Sequence, residues 1–264
     1  MSVVQLRKEG GIAWLILNQP DKLNVLGPEM PAELKACTER LKHDKDVSCV
    51  IIKGAGDHFM AGGDIDYFKR LVDAYKIDGE SAFPSDMFDL LHEAIMNIHE
   101  MNKPVIACVQ GAVAGFGLSL MLACDLVLAA NTSVFSVAYS KIATTPDGGM
   151  TYFLPKAVGQ KRAMELALTG KRFSAEQAEQ WGMLNEIVPV EELDKTALNM
   201  AKRFCAGPRD VLARTKALLN ASAKVTLKEQ LQAEAKNFQL SMTQEDFAEG
   251  VTSFCEKRQP VFGD

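Results

Sequence analysis

Strand-like and helix-like segments alternate along the first two-thirds of this 264-residue chain, and this alternation constrains the fold more than any other feature. Short apolar runs at 47–53 and 105–109 are typical of buried strands, whereas apolar residues between 30 and 41 recur at helical spacing. Strands that alternate with helices indicate an α/β domain with parallel strands. In the last quarter of the chain only helical patterns remain. We therefore expect an α/β core at residues 1–195 and a helical region at residues 196–264.

Composition and charge narrow the class of protein. Hydrophobic residues make up 47% of the chain and charged residues 24%, which is ordinary for a globular protein. The net charge of −5 gives no general basic field, so we expect no nucleic-acid partner. The six cysteines include no C-x-x-C pair, and the first residues show no charged leader followed by an apolar stretch. We therefore expect reduced cysteines and a cytoplasmic protein.

One uncharged segment has almost the length of a membrane span. It lies between Lys103 and Asp125 and contains a G-x-x-x-G pair at Gly111 and Gly115. Its proline and glycines divide it into a strand, a turn and a helix, so we expect no membrane span.

Two glycine-rich turns, at 59–64 and 111–117, each follow a predicted strand and precede a predicted helix. The first N–H groups of a helix have no partner within the helix and carry partial positive charge. Two such turns that face one point would form an oxyanion hole. The alternative is that the glycines only make tight turns, and the local sequence leaves both interpretations open.

Other sites are excluded by spacing. Neither 54–59 nor 115–120 completes a G-x-G-x-x-G motif, and no Walker lysine follows either turn. Ser119 does not lie in a G-x-S-x-G motif. The four histidines lack the spacing of metal ligands, so we expect no metal, and we expect His92 and His99 to be ordinary residues of one helix.

A third feature is the Pro-Asp-Gly-Gly segment at 146–149. Its local sequence is that of a turn. The functional alternative is that Asp147 lies at the mouth of an apolar pocket, where burial would raise its pKa and make it a usable proton carrier.

Taken in order, five segments make the chain resemble the crotonase superfamily, also called the enoyl-CoA hydratase/isomerase family. Each resembles a motif of that family, and together they extend over essentially the whole chain. They are residues 17–24 (LNQPDKLN), 59–65 (FMAGGDI), 111–125 (GAVAGFGLSLMLACD), 146–159 (PDGGMTYFLPKAVG) and 250–260 (GVTSFCEKRQP).

The resemblance implies a spiral of repeated ββα units, followed by a helical C-terminal region that builds homotrimers, often paired into hexamers. It implies an acyl-CoA thioester substrate, with no cofactor other than the coenzyme A that the substrate carries. It assigns the oxyanion N–H groups to Gly63 and Phe116. The remaining residues that it implies for substrate and CoA binding are Lys22, Ala61, Gly62, Asp64, Ile65, Gly115, Tyr139 and Lys257. For both lysines, a plain solvated charge is the alternative.

Departures from the family pattern indicate the subclass. Hydratases of the family use two glutamates, and the matching positions hold Ser119 and Tyr139, neither of which offers a carboxylate. Asp147 occupies the position where family isomerases and one dehalogenase branch carry an aspartate. The segment 135–149 most resembles the branch that includes ring-opened phenylacetyl-CoA epoxide isomerases. Tyr139 and Phe83 are candidates for the lining of the acyl pocket, with core packing as the alternative.

We therefore expect an acyl-CoA double-bond isomerase in which Asp147 carries the proton. Three alternatives stay open: an enoyl-CoA hydratase in which Asp147 activates water, a family member that binds acyl-CoA without catalysis, and dehalogenase-type nucleophilic attack by Asp147.

Overall fold

The computed structural model describes residues 2–79, 84 and 86–263. Phe83, a candidate for the acyl pocket, lies outside the described residues.

Nine strands occur in the described part of the chain. They are β1 Val4–Glu9, β2 Ile12–Leu17, β3 Cys49–Gly54, β4 Val105–Val109, β5 Ala112–Ala114, β6 Leu126–Ala130, β7 Val134–Ser136, β8 Arg172–Ser174 and β9 Glu186–Val188. They form a larger sheet in the order β1-β2-β3-β4-β6-β9 and a smaller sheet in the order β5-β7-β8.

Eleven α-helices are described. They are α1 Met30–His43, α2 Ile65–Asp78, α3 Met87–Glu100, α4 Phe116–Leu122, α5 Met150–Val158, α6 Gln160–Thr169, α7 Ala175–Gln180, α8 Leu193–Cys205, α9 Arg209–Ala221, α10 Leu227–Met242 and α11 Glu245–Glu256.

The strands belong to repeated ββα units that coil into a spiral. β1 and β2 form an antiparallel hairpin, and β2, β3, β4, β6 and β9 then pair in parallel. The chain passes from the larger to the smaller sheet between β4 and β5 and again between β6 and β7, and β5 pairs with β7 in parallel. After β3, Met60 forms a single bridge to Val113 and so extends the smaller sheet by one position. The predicted α/β class and ββα spiral are confirmed.

Both faces of the larger sheet are covered, because alternate residues of each strand point to opposite faces. Val50 and Ile52 of β3 belong to the main core, which also contains apolar residues of α1, α3 and α4. Cys49 and Ile51 belong to a second core that α8 covers. Strands buried on both faces are continuous apolar runs, which is why β3 and β4 were recognisable in sequence.

The predicted boundary between residues 195 and 196 falls inside α8. Leu193, Ala197 and Ala201 of this helix are buried in the second core, so packing against the sheet continues beyond the boundary. From α9 onward the described chain is helical, as expected. The functional meaning of the two-part division stays a prediction.

Three further features concern single elements. Ser174 and Gln177 form the reciprocal bonds of a capping box at the start of α7. α2 continues to Asp78 and is capped by Gly79 in a left-handed conformation. The uncharged segment after Lys103 folds into β4, β5 and α4, and no helix within the described ranges is long and apolar enough to cross a membrane.

Candidate active site

The two glycine-rich turns lie side by side. The Met60 N–H donates to the Ala112 carbonyl at 3.1 Å, and the Ala114 N–H donates to the Met60 carbonyl at 2.9 Å. A Cβ added to Gly115 would lie only 3.3 Å from the Cα of Gly62. Gly115 has φ +52°, a conformation that side chains disfavour. The absence of a side chain at both positions therefore permits this close approach.

Each turn presents a main-chain amide that no described residue bonds. Phe116 is the first residue of α4, where a helix leaves its N–H groups unbonded. Gly63 is bridged to Leu26: the flanking Gly62 carbonyl and Asp64 N–H bond Leu26, so the Gly63 N–H faces the other side. Within residues 2–79, 84 and 86–263, neither amide donates a hydrogen bond. Free amides on adjoining turns are suited to binding an oxygen that gains negative charge.

The residues that follow the first turn are held by a helix cap. Asp64 caps α2, and its carboxylate accepts the Tyr67 N–H at 2.9 Å. The Nζ of Lys22 lies 3.8 Å from the other carboxylate oxygen, although the lysine side chain is largely exposed. Ala61 donates its N–H to the Leu23 carbonyl, and the Ile65 side chain is exposed. Of the predicted CoA-binding residues in this segment, Asp64 therefore lies next to Lys22, and the binding role of the segment stays a prediction.

Asp147 lies against α4. It precedes Gly148, where an added Cβ would lie 3.0 Å from the Cβ of Ser119 and 2.8 Å from the Phe116 ring. The loop that carries Asp147 therefore packs directly on the helix whose first amide is a candidate oxyanion donor. This places Asp147, which is half-buried, near the second turn.

The Asp147 carboxyl has a side-chain partner. The hydroxyl of Tyr139, in a short 3₁₀ turn at Tyr139–Ile142, donates to Oδ1 of Asp147. Ser119 Oγ lies 2.8 Å from the main-chain oxygen of Asp147 and 3.1 Å from the Tyr139 hydroxyl. Tyr139 is 9% exposed and Ser119 is fully buried. The residues at the two positions where family hydratases carry glutamates therefore both contact the aspartate.

Electrostatics make Asp147 a stronger base than an exposed aspartate. Burial raises the pKa of Asp147, and this effect outweighs the Tyr139 hydrogen bond and the electrostatic effect of His92, which both lower it. Burial also raises the pKa of Tyr139, and the negative charge of Asp147 raises it further. Tyr139 is therefore a phenol that keeps its proton, and Asp147 is the group suited to exchange one.

His92 and His99 lie on the same helix, α3, as expected. His92 is also close enough to Asp147 to lower the pKa of its carboxyl. Lys257 ends α11 in a left-handed conformation, and its main-chain N–H donates to the carbonyls of Phe254 and Ser253. A contact of Lys257 with CoA stays a prediction.

Sequence reasoning missed the bonds that Ser119 and Tyr139 make to Asp147. The available signal was the joint presence of two hydroxyl residues at the hydratase glutamate positions and an aspartate at 147.

Two further grooves, of about 350 and 680 Å³, lie between α9 and the core near His99 and Lys216 and contain none of the predicted site residues. In the part of the chain that the structure describes, no three His, Cys, Asp or Glu side chains cluster as metal ligands do.

Comparison with known proteins gives matches over nearly the whole chain. The profile of the enoyl-CoA hydratase/isomerase family matches residues 7–264. A 1,2-epoxyphenylacetyl-CoA isomerase of Escherichia coli (strain K12) is 36% identical over 262 residues, which is 99% of this chain and 98% of that protein. A mitochondrial enoyl-CoA hydratase of Pongo abelii is 33% identical, over 97% of this chain and 85% of that protein. The crystal structure of an enoyl-CoA hydratase from Polaromonas sp. JS666 superposes with a TM-score of 0.89 at 32% identity, over 98% of this chain and 99% of that one.

Proposed function

Because the chain belongs to the enoyl-CoA hydratase/isomerase family, we propose that it is an acyl-CoA isomerase that shifts a double bond from C3–C4 to C2–C3 of the acyl group. One observation carries the choice of isomerase. Tyr139 bonds the carboxyl of half-buried Asp147, and Ser119 bonds its main-chain oxygen and the Tyr139 hydroxyl. Tyr139 and Ser119 occupy the two positions where family hydratases carry glutamates.

In this mechanism the amides of Gly63 and Phe116 bind the thioester oxygen. Asp147 removes a proton from C2, and the electron pair of the C–H bond passes into an enolate whose negative charge lies on that oxygen. The amides are already oriented, so their stabilisation of the enolate needs little reorganisation. Asp147 then returns the proton to C4, and the double bond moves into conjugation with the carbonyl. One carboxyl serves both steps, so no second acid and no cofactor is needed.

The expected test uses Asp147→Asn. An amide cannot accept the C2 proton, so turnover of a 3-enoyl-CoA should fall by about 10²-fold or more. Binding of an unreactive CoA thioester, measured by calorimetry, should be largely unchanged because the amides and the CoA-binding turn are intact. Asp210→Asn, at an exposed position of α9, is the matched control. Near-normal turnover by the Asp147 variant would refute the assignment.

A hydratase is the second candidate, because several relatives carry that name. It would use Asp147 to activate water. Incubation with crotonyl-CoA separates the two functions: a hydratase removes the conjugated absorbance, whereas an isomerase leaves it. A protein that only binds acyl-CoA would exchange no α-protons of the thioester in deuterated water. A dehalogenase that attacks through Asp147 would release halide from a halogenated aryl thioester.

The proposal extends to assembly and compartment. We propose a cytoplasmic homotrimer, or a hexamer of two trimers, with residues 196–264 as the trimerisation region. The support is the family membership, the cysteine spacing and the apolar side chains exposed on the C-terminal helices, among them Leu227, Leu231 and Phe254.

A further inference from the structure

Three separate segments meet at Asp147. Ser119 comes from α4, Tyr139 from the 3₁₀ turn, and Asp147 from the loop before α5. Gly148 has a positive φ of +58°, and a Cβ added there would lie 3.0 Å from the Ser119 Cβ, so the absence of a side chain lets the loop lie this close to the helix. Tyr139 restrains the carboxyl of Asp147 and Ser119 restrains its main chain, which fixes the aspartate far more tightly than a surface loop would.

The hydrogen atoms of this cluster limit what each group can do. Tyr139 has one hydroxyl proton, and it is donated to Oδ1 of Asp147. Ser119 also has one proton, which it can give to the Asp147 main-chain oxygen or to the Tyr139 oxygen, but not to both. In either case Ser119 restrains its neighbours. Oδ2 of Asp147 accepts no hydrogen bond from another residue in the described part of the chain.

We propose that Tyr139, held by Ser119, is a positioning residue that binds Oδ1 of Asp147 and leaves Oδ2 as the oxygen that takes up and returns the substrate proton. The proton-carrying role rests on the proposed function, whereas the restraint on the carboxyl does not. Tyr139 itself moves no proton, because burial and the neighbouring carboxylate raise its pKa.

The two hydroxyls have an electrostatic reason to replace carboxylates here. A glutamate at 119 or 139 would put a second negative charge beside Asp147, and like charges oppose the ionisation of both groups. The Tyr139 hydroxyl instead donates a hydrogen bond to the carboxylate. The aspartate-based site and the two-glutamate site are therefore alternative arrangements of the same positions.

The test is Tyr139→Phe, which keeps the ring and removes the donor. Loss of this hydrogen bond to the carboxylate should raise the pKa of Asp147. We therefore expect the acidic limb of the kcat profile to move up by about one to two pH units. KM should change little, since the hydroxyl is committed to Asp147. Tyr75→Phe is the control, because Tyr75 is exposed on α2 and its hydroxyl makes no hydrogen bond within the described residues. An unshifted acidic limb would overturn the proposal.

A second measurement keeps this result separate from the proposed function. The Asp147 carboxyl can be titrated without substrate by ¹³C NMR of protein labelled at the aspartate carboxyl carbons, with Asp147→Asn to assign the signal. We expect the titration to move to higher pH in Tyr139→Phe, and less far in Ser119→Ala, whether or not the enzyme isomerises 3-enoyl-CoA. If Tyr139→Phe does not fold, Ser119→Ala alone decides. An unchanged Asp147 titration in the folded variant refutes the positioning role.

Discussion

At the scale of single residues, the candidate site depends on what surrounds Asp147 more than on the aspartate itself. Burial favours its neutral form, while the Tyr139 hydrogen bond and the electrostatic effect of His92 favour the carboxylate. A base in proton transfer from carbon must be ionised yet strong enough to take the proton. The opposing effects meet both demands, and the proposed isomerase activity should therefore decline as acid protonates Asp147.

Gly115 allows a residue-scale test of the two adjoining turns. In Gly115→Ala the new Cβ would meet Gly62 at 3.3 Å and would impose a strained positive φ. We expect a stability loss of about 1–3 kcal/mol, measured by urea denaturation. We also expect a turnover loss of about tenfold or more, since the Phe116 amide, a proposed oxyanion donor, would be displaced.

Gly10→Ala is the control that separates backbone strain from the spacing of the two turns. Gly10 has the same φ as Gly115, +52°, but a Cβ added at Gly10 would have no atom within 4 Å. Gly10 lies in the β1–β2 hairpin. This variant should lose stability and keep its turnover. Equal turnover in the Gly115 variant would mean that the spacing of the turns does not matter to catalysis.

The sequence predicts the two turns and Asp147 because each has a local signature: glycines between a strand and a helix, and Pro-Asp-Gly. The bond from Tyr139 to Asp147 has no such signature. It arises where α4, the 3₁₀ turn and the Asp147 loop converge, and local patterns carry no information on tertiary convergence. The sequence therefore predicts Tyr139 only as a residue of the pocket lining or of the core, whereas its hydroxyl donates a hydrogen bond to the Asp147 carboxylate.

At the scale of elements, an ion pair joins α9 to the sheet. The Nζ of Lys216 donates to Asp125 at 2.8 Å and to the Ile98 and Lys103 carbonyls at 3.1 and 3.3 Å. Asp125 also accepts the Val105 N–H at the start of β4. The side chains of Lys216 and Asp125 are 11% and 23% exposed. Burial raises the pKa of Asp125, and Lys216 opposes that rise.

Lys216→Met should therefore destabilise the protein at neutral pH by about 1–3 kcal/mol, because a largely covered carboxylate loses its partner. The folded-state pKa of Asp125, already raised, should rise further. A carboxyl with a raised folded pKa favours folding below its unfolded pKa and loses this contribution as pH rises. The deficit of the variant should shrink between pH 7 and pH 4, as measured by urea denaturation.

A double variant provides the control. Adding Asp125→Asn removes the unpaired charge, so the double variant should recover part of the loss at pH 7 and show a weaker pH dependence. A deficit in Lys216→Met that is equal at both pH values would contradict the role assigned to the pair.

Element length decides how much of the fold the sequence reveals. β3 and β4 are continuous apolar runs that end in turns, and α1 repeats its apolar residues every three or four positions. β5, β8 and β9 have three residues each, too few to establish a period, and the sequence did not predict them. They matter nonetheless, because β5 brings the second glycine-rich turn beside Met60.

At the scale of the whole molecule, the C-terminal helices expose apolar side chains that the isolated chain does not cover. Leu227 and Leu231 lie one turn apart on α10, and Phe254 of α11 is 85% exposed. Contiguous exposed apolar surface is typical of subunit interfaces. We therefore expect light scattering to give a mass of three or six times the 28.9 kDa chain.

Leu231→Glu tests whether this surface makes the assembly. A charge at a buried interface would be desolvated without a partner, so the variant should dissociate to smaller species at concentrations where the unmodified protein stays assembled. Ile77→Glu is the matched control, because Ile77 is an exposed apolar residue of α2 outside the C-terminal region. Circular dichroism should show that both variants keep their helices. A monomeric unmodified protein, or equal dissociation of both variants, would contradict a trimerisation region at residues 196–264, and the exposed leucines would then need another partner.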